Sequence, residues 1–201
     1  MVRAGARTAL GAIALAIVLA GCRTAPPGKV IGPGADAPWP EQRAALETLD
    51  AYSLTGRVAV VAKGEGFSGS LRYQQQPQRS DLALDGPMGM GGVRVALDGE
   101  ELSIDTSGGD HLDGGAARAE LEKRLGFSLP LAELRWWLLG VPAPGESTVA
   151  EANGAISVIE QAGWRISIDA RAPALGFSLP QRLTATRDGA RMKLLVDRWQ
   201  P

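Results

Sequence analysis

The chain has one cysteine, one histidine and few aromatic residues, and these absences exclude several kinds of protein. A single cysteine among 201 residues cannot form an intramolecular disulfide, so the fold must be stable by packing alone. His111 has no second histidine or cysteine with which to form a zinc site, and we interpret it as an exposed turn residue. The Gly-x-Ser-x-Gly motif of many hydrolases and the Lys-Ser or Lys-Thr of a phosphate-binding loop are also missing. We therefore expect no enzymatic activity, no metal and no cofactor apart from a covalent lipid.

The N-terminus carries an uncharged apolar run. Residues 8–20 follow Arg3 and Arg7 and lead into Leu19-Ala20-Gly21-Cys22. A secretory signal typically has a basic N-terminal region, an apolar stretch and small residues before the cleavage site. The cysteine indicates that the cleavage site is that of a lipoprotein. The sequence therefore predicts a signal peptide at residues 1–21, with Cys22 as the lipidated mature N-terminus.

An alternative is an uncleaved membrane anchor with a buried cysteine. It is disfavoured because the run is shorter than the roughly 20 residues of a spanning helix, and because Pro26 and Pro27 follow at once. Residues 22–38 are rich in proline, glycine and alanine, which predicts a flexible tether behind the lipid. Residues 39–201 are then ample for one domain with a sizeable core.

Charge is nearly balanced, and no basic block occurs anywhere. The chain has 21 basic and 22 acidic residues, and removal of Arg3 and Arg7 with the signal leaves 19 basic residues against 22 acidic ones. Nucleic acid is therefore not an expected partner.

The period of the apolar residues changes to two after the first helix and indicates a mainly β fold. Five strands joined by short turns form one antiparallel meander, and a second meander closes the chain, for a total of ten or eleven strands. That number is enough for a barrel or half-barrel. The predicted strands are 54–62, 67–73, 81–84, 93–97, 102–106, 156–158, 164–169, 183–186 and 192–196, with a weak strand near 148–151.

Three stretches have helical patterns instead. The first covers residues 40–52, the second residues 116–125 before Gly126, and the third begins at Pro130 and ends before Gly140. The third helix is apolar almost all round and must be buried on more than one side, in protein or against a ligand.

The connection between the third and fourth strands is unusual for a hairpin. Residues 85–92 contain Met88 and Met90 among four glycines and a proline, and no charge occurs between Asp85 and Arg94. A flexible loop cannot bury both thioethers by itself, so we expect at least one to project. The alternative is that both fold back and plug one end of the barrel.

Several segments, in order and spacing, resemble the family of the outer-membrane lipoprotein receptor LolB. They include Leu-Thr-Gly-Arg-Val-Ala-Val at residues 54–60 and Gly-Pro-Met-Gly at residues 86–89. The other matching segments are residues 67–74, 129–131, 137–142, 163–164, 179–180 and 193–199.

This resemblance implies an incomplete antiparallel β-barrel of about eleven strands, with a helical lid and an N-terminal helix. It also implies that the protein is anchored at the periplasmic face of the outer membrane, receives client lipoproteins from the periplasmic carrier LolA, and places their acyl chains in the inner leaflet without nucleotide hydrolysis. Met88 stands where the family usually has a leucine implicated in membrane insertion, and Met90 could share that role. We expect a monomer.

The interior is the expected acyl-binding cavity, because each methylene moved out of water gains about 0.8 kcal/mol. A lipid-anchored, lipocalin-like module for another apolar ligand is the alternative, and a lipid-anchored hydrolase is a weaker one. The predicted cavity residues are Val58, Val60, Phe67, Leu71, Leu82, Leu84, Val93, Val95, Leu102 and Ile104 on the strands, with Trp136, Trp137 and Leu138 on the lid.

Overall fold

The computed structural model describes residues 29–86 and 91–201, which form eleven strands and three helices. The helices are α1 (Trp39–Thr48), α2 (Gly114–Leu125) and α3 (Leu131–Leu139). The strands are β1 (Tyr52–Ala62), β2 (Glu65–Gln75), β3 (Arg79–Asp85), β4 (Val93–Asp98), β5 (Glu101–Thr106), β6 (His111–Asp113), β7 (Thr148–Ala152), β8 (Ala155–Gln161), β9 (Trp164–Ala174), β10 (Phe177–Arg187) and β11 (Ala190–Gln200). Cys22, Met88 and Met90 lie outside the described residues, so the statements about them stay predictions.

All eleven strands belong to one antiparallel sheet. Their order is β6-β5-β4-β3-β2-β1-β11-β10-β9-β8-β7, and β1 joins the two meanders because it pairs with both β2 and β11. Within the described residues, β6 and β7 each pair on one side only, so the sheet does not close. The prediction of a mainly β, incomplete barrel with helices is confirmed.

The sheet has an apolar inner face and a polar outer face. On β1, Val58 and Val60 are buried while Arg57, Ala59 and Val61 are exposed, as the two-residue period requires. The inner face carries most of one continuous hydrophobic cluster, which runs from Ile31 to Trp199. The described residues therefore form one continuous core.

Helices α2 and α3 cover the inner face. Ala117, Leu121 and Leu125 are buried on α2, which packs against β5 and β6, and α3 packs against β10 and α1. Both helices end at glycines with positive φ, Gly126 at +81° and Gly140 at +76°. Among the described residues, none of the helices is both long and apolar enough to cross a bilayer.

The first helix is shorter than predicted, because Tyr52 belongs to a strand. The prediction extended the helix to Tyr52, whereas α1 ends at Thr48 and β1 begins at Tyr52. The Tyr52 ring is buried, and its centroid lies 5.8 Å from both the Tyr73 and the Trp199 rings. Contacts with distant strands, which helical periodicity does not report, therefore decide its conformation.

Two other predictions about strands were incomplete. β10 begins at Phe177 instead of residue 183, and Pro180 is tolerated because β11 pairs with β10 only from Arg182 onwards. His111 was predicted in a turn but starts the short edge strand β6, where it pairs with Asp105 of β5. It is solvent-exposed, as expected.

Part of the predicted tether is bound to the domain. Residues 31–37, here called the N-terminal strap, follow the turn between β9 and β10. The amides of Ile31 and Gly32 donate to the Leu175 carbonyl at 2.9 and 2.8 Å, and the amide of Gly34 donates to the Gly176 carbonyl at 2.8 Å. The proline- and glycine-rich composition of this stretch does not reveal the contact.

We predict that Gly56→Ala destabilises the fold. A Cβ at Gly56 would lie 2.4 Å from the Leu195 carbonyl oxygen, beside the irregularity in β1–β11 pairing, so the backbone would have to shift. We expect the free energy of unfolding to fall by about 1–3 kcal/mol, measured by urea denaturation. Gly115→Ala is the matched control, since a Cβ there meets nothing within 4 Å. Equal stability of the two variants would contradict the prediction.

Candidate functional site

The predicted cavity residues belong to one continuous apolar surface on the inner face of the sheet. Eleven of the thirteen are buried, and Phe67 and Trp136 are partly buried against the same cluster. The buried ones are Val58, Val60, Leu71, Leu82, Leu84, Val93, Val95, Leu102, Ile104, Trp137 and Leu138. The strand residues therefore face inward, and whether they bind an acyl chain remains a proposal.

Little space is left beneath α3 in this conformation. A cavity of about 40 Å³ lies between α3 and strands β9 to β11 and is lined only by apolar side chains. One water in the liquid takes roughly 30 Å³, so this space is far too small for a fatty acyl chain. The lining residues are Leu134, Trp137, Leu138, Ile166, Leu183, Ala185, Met192 and Leu194.

A larger cleft of about 560 Å³ opens beside the connection between α2 and α3. Leu102 and Leu129 form part of its wall, and both belong to the buried core. Arg118, Glu133 and Arg187 also line it. This cleft brings solvent to the edge of the apolar interior and is a candidate entrance.

Gln161 ties the C-terminal end of α3 to the sheet. Its side-chain oxygen accepts hydrogen bonds from the Trp137 indole and the Ala143 amide, both at 2.9 Å, and its amide nitrogen donates to the Ala143 carbonyl at 2.8 Å. Gln161 is buried, and these bonds satisfy its amide. We did not predict a role for Gln161. The sequence does contain a signal, because Gln161 lies two positions after Ile159 and the two-residue period of β8 therefore places this polar side chain on the inner face.

Arg171 binds the same end of α3 through main-chain carbonyls. Its guanidinium donates to the carbonyls of Ser178 at 2.8 Å, Ile156 at 2.9 Å and Gly140 at 3.3 Å, and lies 4.5 Å from the centre of the Trp39 ring. Burial lowers the pKa of Arg171 to about 10, so the side chain stays charged near neutral pH. A cation beside the helix C-terminus also stabilises the α3 dipole.

The opposite end of α3 has weaker connections. Pro130 precedes the helix and offers no side-chain cap, and Leu131 is only partly buried. In the middle of α3, Arg135 donates to the Leu49 carbonyl at 3.3 Å, and its own carbonyl accepts a hydrogen bond from the Tyr52 hydroxyl. The helix is therefore held most firmly at its C-terminus, away from the cleft.

His111 belongs to a surface ion cluster. Its Nδ1 lies 2.7 Å from an Asp105 oxygen, and its Nε2 lies 3.3 Å from an Asp113 oxygen. The hydrogen bond to Asp105 and the negative charges of Asp113 and Asp105 raise the pKa of His111 above its ordinary value. All three side chains are exposed, so the cluster is not an enclosed reaction site. In the described part of the chain, no group of three or more histidine, cysteine or acidic side chains is placed to hold a metal ion.

Comparison with known proteins supports the resemblance noted in the sequence. A family model described as outer membrane lipoprotein LolB matches residues 50–199. The outer-membrane lipoprotein LolB of Stutzerimonas stutzeri (strain A1501) is 32% identical over 190 residues, covering 93% of this chain and 92% of the relative. That of Pseudomonas aeruginosa (strain LESB58) is 31% identical over 198 residues, covering 97% and 96%.

Among solved structures, a DUF1329 family protein from Desulfovibrio piger superposes with a TM-score of 0.51 at 6% sequence identity. The match covers 79% of this chain and 88% of that chain. A likeness at that identity shows the fold alone. The family model and the two relatives identify the family, and this chain belongs to the LolB family of outer-membrane lipoproteins.

Proposed function

We propose that the protein receives lipoproteins from the periplasmic carrier LolA and inserts their acyl chains into the outer membrane without nucleotide hydrolysis. The observation that carries the proposal is the apolar inner face, which is covered by helices of the same chain. Such a face can exchange intramolecular contacts for contacts with acyl chains. Both states bury apolar surface, so the exchange needs no external energy source.

Binding requires α3 to move, because the cavity beneath it holds only about 40 Å³. Gln161 and Arg171 fix the C-terminal end of the helix, whereas the Pro130 end lies beside the 560 Å³ cleft. The helix would therefore pivot about its C-terminus and open at the cleft. Acyl chains entering there would replace Leu134 and Leu138 as the cover of the inner face.

Directional transfer then follows from differences in affinity. Each methylene in an apolar environment contributes about 0.8 kcal/mol, in the cavity and in the bilayer alike. Opening this closed interior consumes part of that gain, whereas the bilayer demands no such opening. The client should therefore be held less tightly by the protein than by the membrane.

Two segments proposed to contact the membrane, Cys22 and the loop with Met88, lie outside the described residues. A lipid on Cys22 would anchor the chain at the periplasmic face of the outer membrane. Met88, with Met90 beside it, would enter the bilayer during release, since an unbranched thioether side chain is apolar and adaptable. Asp85 marks the point where the loop leaves β3, and it pairs with Arg72 at 2.7 Å.

The central test is transfer of a labelled lipoprotein from the carrier to a soluble version, residues 23–201 exported behind a non-lipoprotein signal. Wild type should accept the client, and Ala185→Leu should accept it less well, because the added carbons fill the apolar cavity. Loss of space for one or two methylenes corresponds to about four- to fifteen-fold weaker binding, at about 0.8 kcal/mol each. The measurement is the fraction of client transferred against concentration.

Ala150→Leu is the matched control, because Ala150 is exposed on β7. It should transfer like wild type, and both variants should keep their unfolding midpoints. Failure of the wild-type sequence to accept any client in both its soluble and its lipidated form would refute the proposed function, as would normal lipoprotein localisation in cells depleted of the protein. Equal transfer by the two leucine variants would show that the acyl chains bind elsewhere.

Met88→Glu should separate acceptance from delivery. A charged side chain in the hydrocarbon core costs about 3 kcal/mol, so we expect delivery from the protein into liposomes to slow at least about tenfold, while acceptance from the carrier is unchanged. Met88→Leu should deliver normally. The readout is client recovered in floated liposomes, and full delivery by the glutamate variant would remove Met88 from the insertion step.

Loss of the anchor should affect the destination and not the binding. The soluble version lacks Cys22 but keeps the whole described core, so it should bind clients like the lipidated protein. In cells, we expect it to deliver part of its clients to the wrong membrane, measured by fractionation of the two membranes. If it cannot bind clients at all, the lipid itself is part of the site.

A further inference from the structure

A row of residues crosses the outer face on five neighbouring strands. Strand register places Asp85 of β3, Ser70 of β2, Arg57 of β1, Leu195 of β11 and Arg182 of β10 side by side. At about 4.8 Å per strand the row spans roughly 19 Å. It starts where β3 ends and the loop containing Met88 begins.

A groove of about 690 Å³ follows this row, and we call it the outer-face groove. Its cations are Arg57, Arg182 and Lys193. Arg57 pairs with Asp197 at 2.9 Å, but in the described part of the chain neither Arg182 nor Lys193 has an ion-pair partner within 4 Å.

The nearby acidic groups described on the outer face do not form ion pairs with Arg182 or Lys193. Asp85 pairs with Arg72 at 2.7 Å, and Asp169 accepts a hydrogen bond from Thr184 at 2.6 Å. Arg182 and Lys193 therefore offer charge that no neighbouring carboxylate neutralises at close range.

Apolar groups accompany these cations. Leu195 lies between Arg57 and Arg182 in the row and is only partly buried. Val61, farther along the outer face of β1, is 51% exposed, which is unusual for a large apolar side chain in this domain. Cations beside exposed apolar side chains suit the boundary between lipid headgroups and acyl chains.

The position of the tether limits how far the domain can move from the membrane. The strap holds Ile31 at the turn that leads into β10, the strand that carries Arg182. Only residues 23–30 separate Ile31 from Cys22, and eight residues reach at most about 29 Å. A lipid on Cys22 would therefore keep β10 within about that distance of the bilayer.

We propose that the outer-face groove is a membrane-docking surface in which Arg182, Lys193 and Arg57 bind phosphate groups of anionic phospholipids. This inference rests on the proposed function and adds an orientation to it. The outer face lies against the headgroups, and the cleft beside α3 stays open to the periplasm. Carrier and membrane then use different faces of the domain.

The test is vesicle flotation with the soluble version, which lacks the anchor. We compare vesicles of phosphatidylglycerol mixed with phosphatidylcholine against vesicles of phosphatidylcholine alone, at low and high salt. Wild type should bind the anionic vesicles and lose binding at high salt. Each cation near an anionic surface contributes about fivefold in affinity. The double variant with Arg182→Gln and Lys193→Gln should therefore bind anionic vesicles roughly 30-fold more weakly than wild type.

The matched control is Lys123→Gln with Arg124→Gln, which removes one lysine and one arginine from exposed positions on α2 that do not line the cleft. It should bind vesicles like wild type. The proposal would be overturned if the two double variants bound vesicles equally well. It would also be overturned if wild type bound vesicles equally well with and without phosphatidylglycerol.

Transfer from the carrier is measured on the same proteins without vesicles. The Arg182 and Lys193 double variant should accept clients normally, which keeps this test separate from that of the proposed function. If it fails to accept clients but still binds vesicles, the groove is a protein-binding surface and the membrane-docking proposal is wrong. If wild type accepts no client in either its soluble or its lipidated form, the proposed function fails instead.

Discussion

The rest of the structure depends on the need to cover one apolar face of a sheet that does not close. A closed barrel would bury its interior by strand pairing alone, whereas here β6 and β7 are edges and α2 and α3 supply the cover. The burial of Leu134, Trp137 and Leu138 provides the apolar contacts that hold α3 in place. These contacts are not directional, so an acyl chain can replace them without any matched pattern of hydrogen bonds.

Hydrogen bonds from buried side chains are concentrated at the C-terminal end of α3, where the helix is fixed to the sheet. Gln161 and Arg171 bind main-chain and indole groups around the end of α3, and these bonds cannot be replaced by an alkyl chain. The strap extends the same arrangement, because the Gln42 side chain donates to the Ala35 and Ala37 carbonyls and accepts from the Ser178 amide. Apolar contacts thus mark the parts that can exchange partners, and hydrogen-bonded side chains mark the fixed parts.

Local periodicity predicted much of this fold, and long-range contact decided the remainder. Alternation on β1 and the leucine stripe of α3 identified inward-facing residues, because period reports which face is apolar. Periodicity could not show that Tyr52 starts a strand, that Pro180 lies beyond the β10–β11 pairing, or that residues 31–37 lie against a turn. Each of these features depends on contacts with residues that are distant in the sequence. The role of Gln161 was missed for the same reason, because its three hydrogen bonds join it to Trp137 and Ala143, which lie 24 and 18 residues away. The charged groove depends on the register of five strands and was likewise not predicted.

Within the described residues β6 and β7 are free edges, and this has a consequence for the capacity of the interior. In a closed barrel, strand number and shear fix the radius, so the enclosed volume is a constant of the fold. A sheet with two free edges has no fixed circumference, and a small change in twist between neighbouring strands separates the edges while every ladder remains paired. If the interior binds acyl chains as proposed, one sequence can accommodate clients with different numbers or lengths of fatty acids, with the width of the opening as the adjustable quantity.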